Sequence, residues 1–577
     1  MIRLYRFLRP FSVALTASVL LIFLQSISQL YLPTLMADIV DTGIARKNVG
    51  YIISTGEVML LITVGGMIAS IVAAFLSSRV AVGFGRDVRA KLFARVESFS
   101  LHEFDRFGTA TLITRTTNDV TQVQMVTLII IRMMVAAPIM AIGGIIMALR
   151  QDRPLTLVLA VALPVLVAVI VLTARLAIPL FRLMQTKLDR LNLVMREGLT
   201  GIRVIRAFNR VDYQAHRFDD ANADVMDNAI RANRIVAFLM PSMMLIMNLT
   251  SVAILWFGAI RINSGGMEVG SLIAFTQYSM QIMFSFLMVS MLFVMVPRAA
   301  ASADRINAVL DTQPEITDPV HPVEPGSASS PWIVEFRDVT FRYPGAEQPA
   351  LSHISFGAGR GEVTAIIGGT GAGKSTLTKL IPRFYDVDSG AVLVDGTDVR
   401  EMTQHALRER ISLVPQQTVL FSGTIADNIR FGNQDATGDD LRRATEIAQA
   451  AEFISDLSGG LAAAVAQGGS NFSGGQKQRL SIARAVVRRP EIYIFDDSFS
   501  ALDFKTDARV RAALRRETAD STVLIVAQRV ATVMDADRII VLDEGRIAGI
   551  GTHRELMRTS EVYREVVASQ LSPEEVA

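Results

Sequence analysis

A chain of 577 residues is too long for one hydrophobic core and has room for two or three domains. Hydrophobic residues make up 51%, charged residues only 19%, and the formal net charge is +2, so no global field marks the chain for nucleic acid or acidic partners. There is no cysteine, which excludes disulfides, thiolate metal sites and cysteine nucleophiles, and the six histidines show no ligand-like spacing.

In chain order, six stretches without Asp, Glu, Lys or Arg come first: 11–37, 58–78, 133–149, 154–174, 235–260 and 269–297. Each is about the 17–25 helical residues that cross a bilayer core. Six of them within 300 residues predict a polytopic α-helical membrane domain rather than the buried helices of a large soluble protein. Residues 11–37 make a poor cleaved leader, because the apolar run is too long and lacks a small-residue cleavage site. Arg3, Arg6 and Arg9 predict a cytoplasmic N-terminus. The loops 38–57, 150–153 and 261–268 are then external, and the strongly basic segments 79–132 and 175–234 internal. Few glycines or prolines interrupt these internal segments, so the membrane helices are expected to continue well into the cytoplasm.

The character changes after Arg298. Residues 311–331, DTQPEITDPVHPVEPGSASSP, carry five prolines and read as a linker. From Trp332 strands alternate with helical segments: WIVEFRDVTF, EVTAIIG, AVLVDG, IYIFDD, TVLIVAQ and RIIVLDEG. That pattern predicts a soluble α/β domain with a mainly parallel sheet. The expected division is a membrane domain at 1–310, a linker at 311–331 and an α/β P-loop NTPase domain at 332–577.

The chemistry begins at Gly368, Gly369, Thr370, Gly371, Ala372, Gly373, Lys374 and Ser375, a GxxxxGK[ST] loop between the strand VTAIIG and an apolar helix starting at Thr376. Glycines let the backbone close around phosphate oxygens with several N–H groups pointing inward. Lys374 is expected on the β- and γ-phosphates and Ser375 on Mg²⁺. Asp496 ends the strand Ile492–Phe495 and completes the metal site, and Asp497 stands where a water-preparing carboxylate usually does. A second anion cradle is expected at Asn471–Arg479, NFSGGQKQR, where a Ser-Gly-Gly-Gln turn opens a helical segment.

A phosphate loop, SGGQ about a hundred residues later, a strand ending in Asp and then SALD is the order of an ATP-binding cassette. The α/β domain resembles the nucleotide-binding domain of an ABC transporter, and residues 1–310 resemble the six-helix membrane domain of an ABC exporter half-transporter. The resemblance implies ATP and Mg²⁺ as cofactors. It implies that Tyr343, in FRYPG, stacks on adenine and that Gln416, in VPQQTVLFSGTI, touches Mg²⁺ and senses the membrane domain. It makes Ser473, Gly474, Gly475 and Gln476 the signature turn, and Asp503 the end of the D-loop that joins two ATP sites.

Two positions depart from the family pattern. Asp497 replaces the usual Glu, and Gln528, in LIVAQR, replaces the switch histidine. Shortening Glu to Asp withdraws the carboxylate by about 1.5 Å, enough to spoil hydrogen-bond reach to an attacking water. Gln528 can bond a γ-phosphate but cannot titrate as histidine does. ATP is therefore expected to bind at this site and persist. Family cassettes work as head-to-tail dimers, with each ATP between one phosphate loop and the other subunit's signature. An impaired catalytic side beside an intact SGGQ resembles the degenerate-site subunit of a heterodimeric multidrug exporter. It implies a second, non-identical half-transporter bearing Glu and His.

The cargo clues lie in the spans. Gln277, Gln281, Phe284, Met288, Met291 and Met295 fall on one face of the sixth, the fifth adds Met240, Met243, Met244 and Met247, and the first adds Gln25 and Gln29. Flexible methionines beside aromatics and amides suit an amphiphile cavity, and simple helix packing is the rival reading. The segments Phe107–Ile113 and Tyr213–Phe218 match where exporters place the short helices that dock on the cassettes. The expectation is ATP-driven export of amphiphilic small molecules across a bacterial inner membrane, with the nucleotide-binding domain cytoplasmic and no nucleic acid involved. The alternatives are a regulatory ATP-binding subunit with no hydrolysis of its own, or an exporter or flippase of lipids, siderophores or peptides.

Overall fold

The computed structural model describes residues 1–323 and 330–570, apart from the side chains of Met291, Phe293 and Val294. The chain divides into two compact units: residues 1–97 with 110–312, and residues 98–109 with 313–577.

The first unit is built on six long helices, Ser12–Asp38, Val49–Glu97, Val120–Gln151, Thr156–Thr200, Val211–Asn263 and Val269–Asp311, each within a segment long and apolar enough to cross a membrane. The fifth has 53 residues, so it runs about 80 Å at 1.5 Å per residue, more than twice a hydrocarbon core of roughly 30 Å. The basic segments after the second and fourth spans are thus helical, as expected. The predicted external loop 38–57 is largely helix too, with a turn at 45–48. Leu61, Val161 and Trp256 stay exposed, as residues facing lipid do.

The first helix packs on the second, the third on the sixth, and the fourth and fifth chiefly on each other. With no hydrophobic drive between helices in lipid, small residues set these approaches. A Cβ on Gly144 would stand 2.7 Å from Ile282, and Ser18 and Ser77 share a hydrogen bond of 2.6 Å. At the Asp38 and Gln151 ends the helices close around Leu30, Ala148, Leu155, Phe275 and Tyr278. There the Tyr278 hydroxyl donates to the Leu30 carbonyl at 2.8 Å, and Asp41 caps the sixth helix through the Gly270 and Ser271 N–H groups.

The second unit contains two main sheets where one was expected. β1 (Val334–Phe341), β2 (Leu351–Ala358), β4 (Ser389–Val394) and β5 (Thr397–Asp398) form an antiparallel sheet ordered β2-β1-β4-β5. The larger sheet takes β3 (Val363–Gly368), β6 (Ile411–Val414), β9 (Ile492–Asp496), β10 (Thr522–Val526), β11 (Arg538–Asp543) and β12 (Arg546–Gly551). Its order is β12-β11-β3-β10-β9-β6, parallel except at the β12 edge. β7 (Gly423–Thr424) and β8 (Ala464–Val465) make a short antiparallel ribbon. The segments read as WIVEFRDVTF and AVLVDG therefore belong to the antiparallel sheet, because alternation of apolar residues does not encode strand direction.

That order aligns the carboxyl ends of β3, β10, β9 and β6 along one edge, where parallel α/β sheets bind ligands. Val526 pairs with Ile366 on one side and Asp496 on the other, and Val414 pairs with Phe495.

The short helices fall earlier than predicted, at Leu101–Phe107 and Ile202–Ala207. Phe107–Ile113 straddles a break at Gly108, and Tyr213–Phe218 lies inside the fifth long helix. Leu101–Phe107 belongs to the second unit. Ser100 and Glu103 form its capping box, and Asp105 accepts from the Tyr385 hydroxyl at 3.1 Å.

Candidate nucleotide site and membrane cavity

The loop after β3 needs glycine for two reasons. At Gly373 φ is +95°, and a Cβ on Gly368 would stand 2.1 Å from the Leu542 carbonyl oxygen. Over Gly369 and Gly371 nothing lies within 4 Å of an added Cβ, which leaves a cradle open to phosphate oxygens. Lys374 donates to the carbonyls of Gly368 and Gly369 at 3.0 and 2.7 Å, closing the loop on itself. Burial lowers the lysine pKa, opposed by the nearby carboxylates of Asp497 and Asp496.

The Ser375 hydroxyl donates to Asp496 Oδ1 at 2.9 Å. Asp496 is buried at the end of β9, and that burial raises its pKa against the Ser375 hydrogen bond and the Lys379 charge. A hydroxyl and a carboxylate oxygen side by side are the hard donors that Mg²⁺ takes, so these residues fit it. Bound there, Mg²⁺ would neutralise charge on phosphate oxygens.

Asp497 has φ +49°, in the left-handed region that non-glycine residues rarely enter. One carboxylate oxygen, Oδ2, accepts from two amides, Gln528 Nε2 at 3.2 Å and Gln416 Nε2 at 3.4 Å. Burial raises the Asp497 pKa, while hydrogen bonds from Gln416 and Ser500 and the Lys374 and Arg529 charges lower it. The side chains that donate to the carboxylate are thus neutral, and the cations act on it only at longer range. A histidine at position 528 could carry a proton toward the γ-phosphate, but an amide cannot.

The structure gathers Tyr343, Thr370, Gly371, Gly373, Lys374, Ser375, Thr376, Gln416, Asp497 and Gln528 around one cavity of about 310 Å³. The Tyr343 hydroxyl hydrogen-bonds Thr376 Oγ1 at 3.1 Å, and its ring meets those of Phe341 and Tyr385 edge-on. Ser473, Gly474, Gly475, Gln476 and Asp503 do not line this cavity. Ser473 caps the helix Gly474–Val486, its Oγ accepting from Gln476 N–H, so its own hydroxyl proton stays available. Asp503 caps the helix Phe504–Glu517 through Thr506 N–H. Gln478 Oε1 accepts from Ala501 N–H at 3.2 Å, tying the two turns together. Loop and signature are separate surfaces of this chain.

In the first unit a cavity of about 980 Å³ is lined by all six predicted residues, Gln25, Gln29, Gln277, Gln281, Phe284 and Met288. Met247 joins them. Met243 is instead buried in a small core with Leu166 and Met283, and Met240 and Met244 are exposed on the outside. Met295 is not in the lining, and the Met291 side chain lies outside the described residues. Arg132, from the third helix, also lines the cavity and was missed. Read as the last residue of the basic segment 79–132, it in fact interrupts the apolar run VTLIIIRMMVAAPIM, which is the signal that reveals it.

Two family descriptions match the chain: the ABC transporter transmembrane region over residues 15–286 and the ABC transporter domain over 351–500. An uncharacterized ABC transporter ATP-binding protein of Mycobacterium tuberculosis (strain CDC 1551 / Oshkosh) is 45% identical, covering 98% of this chain and 97% of its own. An ATP-dependent lipid A-core flippase of Desulfotalea psychrophila is 32% identical over 92% of both chains. The solved structure of a bacterial Atm1-family ABC exporter with ATP bound superposes with a TM-score of 0.79, at 25% identity over 98% of this chain and 99% of that one.

Proposed function

The chain belongs to the ABC transporter family, as an exporter half-transporter with six membrane helices fused to one nucleotide-binding domain. From that premise we propose that it is the weak-site half of a heterodimer that exports amphiphiles, turning over ATP mainly at the site it shares with its partner. The observation that carries this reading is Asp497: a shortened carboxylate whose Oδ2 is engaged by two neutral amides, one of them from Gln528. Lys374, Ser375, Asp496 and Gln416 hold ATP and Mg²⁺ on this side, with adenine against Tyr343. Ser473 to Gln476 and the Asp503 turn form a second surface, free to complete a partner's site. The membrane domain spans 1–310 and the nucleotide-binding domain 332–577. The latter and the N-terminus face the cytoplasm of a bacterial cell, on the charge asymmetry of the loops.

A second reading, a lipid flippase, draws support from the lipid A-core flippase relative and from the arginine in the membrane cavity. It changes the cargo and leaves the machinery alone.

Asp497→Glu in the assembled pair tests the carriage of this reading by two residues rather than one. The longer carboxylate still faces Gln528, so ATPase activity is expected to change less than about tenfold, or 1.4 kcal/mol of barrier. A larger gain would show that carboxylate length alone limits the site and that Gln528 is incidental.

A further inference from the structure

We propose, resting on the export reading above, that the membrane cavity takes amphiphiles with an anionic headgroup and that Arg132 receives it. Arg132 lies in the third membrane helix, where a charge is costly unless it is paired or faces a wet cavity. Some arginines of this unit pair with carboxylates, Arg305 with Asp119, Arg261 with Asp152, Arg217 with Glu197 and Arg3 with Asp311, but none of these lines the membrane cavity. Arg132 has no hydrogen bond or ion pair among the described residues, and it opens into the cavity of about 980 Å³. No acidic residue lines that cavity. Its other polar groups are a serine and the amides of Gln25, Gln29, Gln277 and Gln281, all neutral, so among the described residues of this chain the lining carries one positive charge and no negative one. A cationic amphiphile would meet repulsion there, strengthened by the low-dielectric walls.

Position along the helices gives the ligand an orientation. Arg132 is about 28 Å from the Gln151 end of its helix, nearly the full hydrocarbon thickness of roughly 30 Å. Met288 stands about as far from the Val269 end of the sixth helix, whereas Gln277 is only about 12 Å from it. The charge therefore sits toward the inner-leaflet end of the cavity on the orientation proposed above, with Leu128 and Ile129 of its helix lining the last turn beyond it. Gln277, Met140 and Met280 lie deeper, Met140 and Met280 about 17 Å from the same ends of their helices. An anionic amphiphile can enter as it stands in the inner leaflet, headgroup on Arg132 and tail among Phe284, Met280 and Met140.

The test labels the full-length chain in nanodiscs with diazirine-bearing twelve-carbon amphiphiles that differ only in headgroup: phosphate, carboxylate, phosphocholine or trimethylammonium. The readout is the concentration that half-saturates labelling of peptides carrying Met140 or Met280. Phosphate or carboxylate is expected to label at concentrations at least about tenfold below trimethylammonium. Preference for phosphate over carboxylate assigns a phospholipid-type source, the reverse a fatty-acid type, and either supports the inference. Arg132→Gln should erase the headgroup preference and Arg132→Lys should keep most of it. Equal or tighter labelling by trimethylammonium, or an unchanged preference in Arg132→Gln, would overturn it. The labelling is done without nucleotide and needs no hydrolysis, so failure here is separable from failure of the weak-site reading.

Discussion

Gly474→Asp in the assembled pair is expected to lower ATP hydrolysis at least about a hundredfold, roughly 2.7 kcal/mol of barrier. The substitution is mild within this chain. A Cβ on Gly474 meets only the Ala501 Cβ, at 3.9 Å, and an acidic residue in the first turn favours a helix by about 0.3–1 kcal/mol. Loss of activity therefore cannot be charged to misfolding. It arises where the signature N–H groups must approach the γ-phosphate held by the partner, against which a carboxylate is repelled and bulky. Lys374→Ala acts on the other side. It frees the Gly368 and Gly369 carbonyls that the lysine now holds, and it removes nucleotide from the weak site. The expected loss is less than about tenfold, because on the proposed reading that site contributes little hydrolysis. ATPase and transport assays of both variants decide the matter: a dead Lys374→Ala beside an active Gly474→Asp would reverse the assignment of strong and weak sites.

The second large effect concerns the partner. Purified alone, this chain is expected to hydrolyse ATP at least about a hundredfold more slowly than when co-purified with a half-transporter bearing Glu and His at the matching positions. Self-association would not rescue it, since every site would then contain Asp497 and Gln528. On the proposed reading the carboxylate falls about 1.5 Å short of a Glu, and among the described residues no histidine lines the nucleotide cavity. Vigorous turnover by the lone chain would contradict this.

How far these features were legible in the sequence follows from what each kind of residue encodes. A run without charge reports membrane insertion directly, so six spans could be read, and GGTGAGKS carries its own loop geometry. Arg132 is hidden for the same reason the spans are visible: a charge ends the apolar run in the sequence, although the helix continues through it. The antiparallel sheet was hidden because Val334–Phe341 and Val363–Gly368 look alike as apolar strands, and direction is decided by the chain's return path. The fifth-span methionines were misplaced because a membrane helix can be apolar on its lipid face as well as toward a cavity, so period alone cannot separate Met244 from Met247. The short helix at Leu101–Phe107 starts six residues before the expected segment, and the capping box of Ser100 and Glu103 is the sequence signal for that start. Of the nucleotide site, the residues were legible but not their grouping, which depends on β6, β9, β10 and β3 ending along one edge.

The most direct measurement asks what nucleotide this site holds while the pair works. An azido-ATP carrying distinguishable labels on its α- and γ-phosphates is crosslinked during steady-state turnover, and the peptide containing Tyr343 is isolated. A γ-to-α label ratio near one, intact ATP persisting on Asp497's side while the partner's site turns over, is the expected result. A ratio near zero would mean that this site hydrolyses its ATP with each cycle, and would contradict the account.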